Sequence, residues 1–217
     1  MLVFDEFTTT SLVDGSGHID AVRYPNFARL ARDGTWFPYA TASLDETGRA
    51  MRALFTSRDT WRFARPSYAQ NPRNLFTLLG RRYRMDVSEE VSSMCPRRLC
   101  PASSAPNRHT VLHRLASGRP ERFERWLRSV RPRSRPTLYL KHLLLPHGPW
   151  RYLPDGRRFV DTPSRKLLSW NIQHFNPWLV QRSYQRHLLQ VGFSDRLLGQ
   201  ALDKLRRTGL YDKALVV

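Results

Sequence analysis

Four positions combine reactive residue types with neighbours able to aim them. Asp5 and Glu6 close the apolar run Leu2-Val3-Phe4. Carboxylates at the end of a buried strand can bind a hard or borderline divalent metal through oxygen. The same acids can also serve as a polar strand terminus or a helix cap. Thr47 follows Asp45-Glu46 and precedes Gly48 and a helical run ending in Thr56-Ser57-Arg58. A hydroxyl at a helix N-terminus lies where negative charge is favoured. A metal bound to it would lower its pKa and make it a nucleophile, whereas a simple N-cap would use the same threonine in the same place. His147 stands between Pro146 and Pro149, aimed by a stiff turn, and can hold an anionic ester oxygen or protonate a leaving group. A surface histidine in a tight turn is the alternative. Arg58, with Arg49 and Arg52 nearby, offers a fork of donors suited to sulfate or phosphate oxygens, or else is one more solvated cation. His142 reads as a buried, hydrogen-bonded core residue.

Other chemistries lack their residues. The chain has no G-x-S-x-G, no phosphate-cradling P-loop and no H-E-x-x-H. His18, His109, His113, His174 and His187 have no metal-like spacing. Cys95 and Cys100, five apart in M-C-P-R-R-L-C-P, have no second pair to form a zinc ribbon and no C-x-x-C redox spacing. In an oxidising compartment they would close a small disulfide loop. Two unlinked thiols are the other possibility.

These residues need elements to hold them. Leu2–Phe4 reads as a buried parallel strand that delivers its acids at the C-terminal edge, where open α/β sheets bind ligands. Tyr24–Gly34 predicts a helix, with Pro25 in its first turn and Gly34 as a left-handed stop. Thr35-Trp36-Phe37 leads into another extended piece. Gly48–Phe55 and Asn74–Leu79 predict helices, and Tyr83–Val87 a strand. Residues 95–107 read as a loop rich in Pro, Ser and Arg. Arg119–Val130 places Phe123, Trp126, Leu127 and Val130 at helical spacing. Thr137–Leu145 is the clearest buried strand, and it runs into the His147 turn. Arg151–Ser169 reads as a polar, irregular insertion. Tyr184–Arg207 predicts a long helix ended by Gly209, and Ala214–Val217 the start of a further strand. Strands alternating with helices indicate an α/β fold with a mainly parallel sheet, in one domain across 1–217.

The 217 residues can bury a real core. The formal net charge is +18, and only Lys141, Lys166, Lys204 and Lys213 are lysines. Such a chain could bind nucleic acid, an anionic membrane or anionic substrates. The arginines are scattered along the sequence and form no recognisable nucleic-acid module, so no nucleic-acid partner is expected. A non-enzymatic protein binding anionic polymers is a rival reading that rests on the charge alone. No run is long and apolar enough to cross a bilayer. A strand in progress at Met1 predicts a missing upstream segment.

Taken in order, the segments F-D-E-F, Y-P-N-F-A-R-L-A-R-D-G-T, T-G-R-A-M-R-A-L-F-T-S-R, L-Y-L-K-H-L-L-L-P-H-G-P-W and V-G-F-S-D-R-L-L-G-Q-A-L-D-K-L resemble the sulfatase family of the alkaline-phosphatase-like superfamily. The resemblance implies a three-layer α/β/α sandwich and metal-dependent hydrolysis of a sulfate or phosphate ester. It implies Asp5, Glu6 and Thr47 as ligands of a divalent ion (Ca, Mn, Mg or Zn), and Thr47 as the nucleophile. It implies His147 and Arg58 as contacts to an anionic ester substrate. Many members carry Asp where Glu6 stands. True sulfatases have a Cys or Ser at the Thr47 position, followed by x-P-x-R. Thr47-Gly48-Arg49-Ala50-Met51 departs from that pattern and cannot yield formylglycine. A Thr nucleophile is similar to that of phosphoglycerol and phosphoethanolamine transferases. The resemblance further implies a full-length relative anchored at the extracytoplasmic face of the cell membrane, with a later Asp-His pair completing the metal site. The fragment is expected to be inactive or impaired.

Overall fold

Three segments of this sequence become strands, and the one richest in apolar residues takes the centre. The computed structural model describes residues 1–58, 64–101, 106–159 and 176–217. Strand β1 is Leu2–Asp5, β2 is Arg84–Ser88 and β3 is Thr137–Pro146, in the order β1-β3-β2. The sheet is parallel; β2 registers on β3 from Arg84 opposite Thr137 to Ser88 opposite Lys141. A strand in parallel pairing is covered on both faces and so reads as continuous apolar sequence. Accordingly β3 is buried without a break from Leu140 to Pro146. The chain is thus an α/β protein with a small parallel sheet and helices.

The chain divides into two compact units, Met1–Val3 with Ala40–Leu143 and Lys204–Val217, and Phe4–Tyr39 with Leu144–Asp203. In the first, helices α2 (Thr47–Thr56) and α3 (Leu75–Leu79) bring Met51, Phe55 and Phe76 into a core with Met85, Met94 and Leu140. The Phe55 and Phe76 rings lie 4.8 Å apart. Asn74 caps α3, accepting from the Phe76 and Thr77 N–H groups while Thr77 Oγ1 accepts from Asn74 N–H. That reciprocal pair satisfies donors a short helix would otherwise leave bare. Cys95 and Cys100 are joined in a disulfide against the same core. Helices α4 (Arg108–Ala116) and α5 (Arg119–Ser129) follow.

This unit also buries a charged cluster. Lys141, on β3, and Glu90 are both almost wholly shielded from solvent. The Lys141 ammonium bonds the Glu90 carboxylate and donates to Ser88 Oγ at 2.9 Å. Glu90 also meets Arg122 Nε at 3.0 Å and Arg114 Nε at 3.9 Å. Arg122 donates onward to the carbonyls of Arg114 and Ser117, closing off the end of α4. Burial holds the Lys141 pKa below its usual range; Glu90 pulls it back up, and Arg122 and Arg114 oppose that pull.

The second unit docks α1 (Pro25–Asp33) against α6 (Pro177–Arg207). Asp195, buried on α6, accepts from the backbone N–H of Asn26 at 3.0 Å, from that of Phe27 at 2.8 Å and from Asn26 Nδ2 at 2.8 Å. A carboxylate on α6 thus caps α1, whose own N-cap Tyr24 supplies no side-chain bond. One turn on, Gly199 leaves room for the Asn26 amide; a Cβ there would come within 2.6 Å of its Oδ1. Leu12, Tyr24 and Val191 form the adjoining apolar cluster with Phe7, Ile19 and Phe27.

Several expectations change. Gly34 is extended at φ −139°, not left-handed, and no strand forms over Thr35–Phe37. Helix α4 was not expected; Asn107, accepting from Thr110 N–H at 2.8 Å, is the cap that announces it. Helix α6 begins at Pro177, a full two turns before Tyr184. Gly209, at φ +65°, follows it as expected. Ala214–Val217 forms no strand, although Leu2 N–H donates to the Val217 carbonyl at 2.8 Å. Of the Arg151–Ser169 insertion, Tyr152 and Arg158 form an antiparallel bridge, and 160–169 lie outside the described residues.

Candidate functional site at the strand ends

Because β1 and β3 are neighbours running the same way, their C-terminal ends bring Asp5-Glu6 and His147 to one edge. Asp5 is buried, while Glu6 is exposed and takes a left-handed φ of 55°. A positive φ is uncommon outside glycine, and here it accompanies the change from a buried to an exposed acid. The Glu6 carboxylate meets His147 Nε2 at 3.1 Å and accepts, at 3.4 Å, from the Gly148 N–H. His147 Nδ1 lies 2.6 Å from the Gly148 carbonyl, so Nδ1 carries the proton there. The peptide bonds preceding Pro146 and Pro149 are both cis.

The turn is held from α6. Gln190, fully buried, donates from Nε2 to the Pro146 and His147 carbonyls at 3.0 and 2.8 Å, and its Oε1 accepts from Arg151 N–H at 3.0 Å. One turn earlier, His187 Nε2 is 3.0 Å from Ser11 Oγ, with its ring against Trp150 and Tyr184. Burial lowers the His187 pKa, and the nearby Glu6 charge opposes the shift. At neutral pH His187 is therefore an uncharged imidazole. Gln190, His187 and Ser11 were not singled out in the sequence. No local pattern marked them: His187 and Gln190 stand on a helix that also buries Ser183, Ser194 and Asp195, and Ser11 lies in the short Thr9–Ser11 turn.

The other expected site residues lie in the first unit. Thr47 is the first residue of α2, half-buried, and it is not the cap. Glu46 caps the helix instead, its carboxylate oxygens each 2.8 Å from the N–H groups of Gly48 and Arg49. An internal anion thus occupies the donors that would otherwise be offered to an external one. Arg58 is exposed just past Ser57, the left-handed residue that ends α2. His142 is fully buried in β3.

Among the described residues no three His, Cys, Asp or Glu side chains gather into a metal-holding group. Glu6 faces an imidazole, and Asp5 is buried apart from solvent. The described residues do not by themselves fit a resident divalent ion, whose oxygen-rich shell needs several converging donors. No described helix is long and apolar enough to cross a membrane.

Compared with known proteins, the chain matches no family model, and no curated protein or solved structure matches it significantly.

Proposed function

We propose that this chain is a sulfatase-like, alkaline-phosphatase-like hydrolase module directed at sulfate or phosphate esters, with activity absent or impaired in this form. The observation that carries the reading is the meeting of Glu6 and His147 at the C-terminal ends of adjacent parallel strands. That edge is where α/β sheets place their ligands. In this reading the full fold is a three-layer α/β/α sandwich. His147 recognises the anionic group of the substrate, Arg58 assists it, and the Thr47 hydroxyl is the nucleophile.

A divalent ion belongs to the chemistry of this class, with Asp5, Glu6 and Thr47 as its expected ligands. The described residues do not by themselves complete such a site, which supports the impaired reading. Glu6 competes with any anion for His147, and Glu46 competes at the start of α2. Relatives of this class would act at the extracytoplasmic face of a membrane.

The test is binding before turnover. Histidine-selective NMR should show the His147 ring resonances moving on addition of inorganic sulfate or phosphate, more strongly in Glu6→Gln than in the unchanged chain. Silence at His147 in both proteins would sink the recognition role. Hydrolysis of p-nitrophenyl sulfate or bis(p-nitrophenyl) phosphate should stay at background with added Mg, Ca, Mn or Zn. Metal-dependent turnover abolished by Thr47→Ala would overturn the impairment. The Thr at position 47 favours a second reading, a phosphoglycerol- or phosphoethanolamine-type transferase, which would deliver the group to glycerol in preference to water.

A further inference from the structure

The arginines that look scattered along the sequence are gathered by the fold at the start of β2 and β3. Arg81, Arg82 and Arg84 surround the turn from α3 into β2, and all three are exposed. Arg135, exposed in the segment leading into β3, donates from Nε to the Arg82 carbonyl at 2.9 Å and from NH2 to the Arg81 carbonyl at 2.8 Å. The Arg84 N–H donates to the Pro136 carbonyl at 2.8 Å. Arg131 joins the same segment through its carbonyl, which accepts from the Tyr139 hydroxyl. The disulfide loop adds Arg97 and Arg98, both exposed, because the next residue, Leu99, packs its side chain over Gly80. These bonds, the Cys95–Cys100 loop and the packing of Leu99 on Gly80 therefore bring the segments that carry seven exposed arginines together near the start of β2 and β3.

The acids of this region are engaged elsewhere. Asp86 pairs with Arg133 at 3.5 Å and accepts from Ser129 Oγ. Glu89 accepts from Ser92 Oγ and from the N–H groups of Met94 and Cys95. Glu90 is buried with Lys141. Among the described residues none of the seven arginines forms an ion pair, so their charge faces solvent unopposed. Two apolar side chains stand in the same run, Leu78 at 74% exposure and Tyr83 at 39%.

We propose that this surface docks on an anionic phospholipid bilayer. Guanidinium forks match phosphate oxygens, each basic residue near an anionic membrane contributes about 1 kcal/mol, and an exposed Leu and Tyr among them suit the headgroup–acyl boundary. A single-stranded nucleic acid would need a row of stacking aromatics, and Tyr83 is the aromatic this surface exposes.

Vesicle co-sedimentation of the intact chain tests it. The chain should partition onto phosphatidylcholine vesicles containing phosphatidylglycerol, hardly at all onto phosphatidylcholine alone, and progressively less as salt rises. The triple variant Arg81→Gln, Arg82→Gln, Arg98→Gln should weaken binding on the order of a hundredfold, with near-UV circular dichroism unchanged. Leu78→Ser should make the remaining binding more salt-sensitive. Equal binding to both vesicle types, no loss in a folded triple variant, or release from vesicles by an equimolar RNA oligonucleotide would each overturn the proposal. None of these readouts depends on ester hydrolysis or on His147.

Discussion

Each compact unit has a buried carboxylate that ties its elements together, and Glu90 and Asp195 are satisfied in different ways. Glu90 faces cations: Lys141, Arg122 and Arg114. Asp195 faces two backbone N–H groups and one amide. Glu90 holds an excess of positive charge in place, so its removal strands buried cations. Asp195 meets dipoles that carry no net charge, and burial raises its pKa against the pull of those bonds and of Arg29. The difference teaches that two acids of equal burial can have unlike sensitivities. One is exposed to loss of its charge, the other to loss of its hydrogen-bond geometry.

The sharpest way to break the comparison is Glu90→Ala. It should cost about 3–5 kcal/mol, the scale for removing one partner of a buried pair, read as a shift in urea unfolding. Lys141→Met should cost much less, because Glu90 keeps Arg122 at 3.0 Å. Lys141 also gives a sign. Its folded pKa lies below the ordinary lysine value of 10.5, so the unfolded chain binds the proton more readily between those values. Stability of the unchanged protein should therefore rise with pH as Lys141 releases its proton, and level off above 10.5. The Met variant should lack that rise.

Asp195→Ala is next, at about 1–3 kcal/mol for donors left without an acceptor. Asp195 gives the opposite slope. With a folded pKa raised from 3.8, the folded state holds the proton longer. Its contribution is then present below 3.8 and lost as pH rises through the folded value. Asp195→Asn, which keeps an acceptor, should flatten that part of the stability–pH curve. A slope unchanged in the Asn variant would remove Asp195 from the account.

The smallest effect belongs to Glu6. Its contact with His147 is partly exposed, and such pairs contribute about 0–1 kcal/mol. Glu6→Gln should leave thermal unfolding nearly unmoved. A large loss would mean that Glu6 belongs with the buried carboxylates.

Strand β3 was legible because burial on both faces selects apolar residues, as in Leu138–Leu140 and Leu143–Leu145, on either side of Lys141 and His142. The edge that gathers Asp5, Glu6 and His147 was legible for the same reason. The cap at Glu46 was not, because Thr47 is the commoner capping type and only backbone geometry decides between neighbours. Neither was Gln190: its partners are carbonyls of the distant Pro146–His147 turn, which no local pattern encodes. The arginine surface was hidden because segments 81–84, 97–98 and 131–135 adjoin only through pairing of β2 with β3 and packing of Leu99 on Gly80.

The bond from Asp195 to the start of α1 spans 169 residues. Its unit consists of Phe4–Tyr39 and Leu144–Asp203, with 104 residues of the other unit, 40 to 143, between them. Loop closure over such a span must precede any gain from the contacts it makes. During synthesis the α1 segment leaves the ribosome without its cap, and waits for α6 while the intervening chain is made. The order of assembly is thus set by Asp195 and Gly199. A nascent chain halted before them would carry Phe4–Tyr39 with its apolar face uncovered, a substrate for chaperones rather than a folded half.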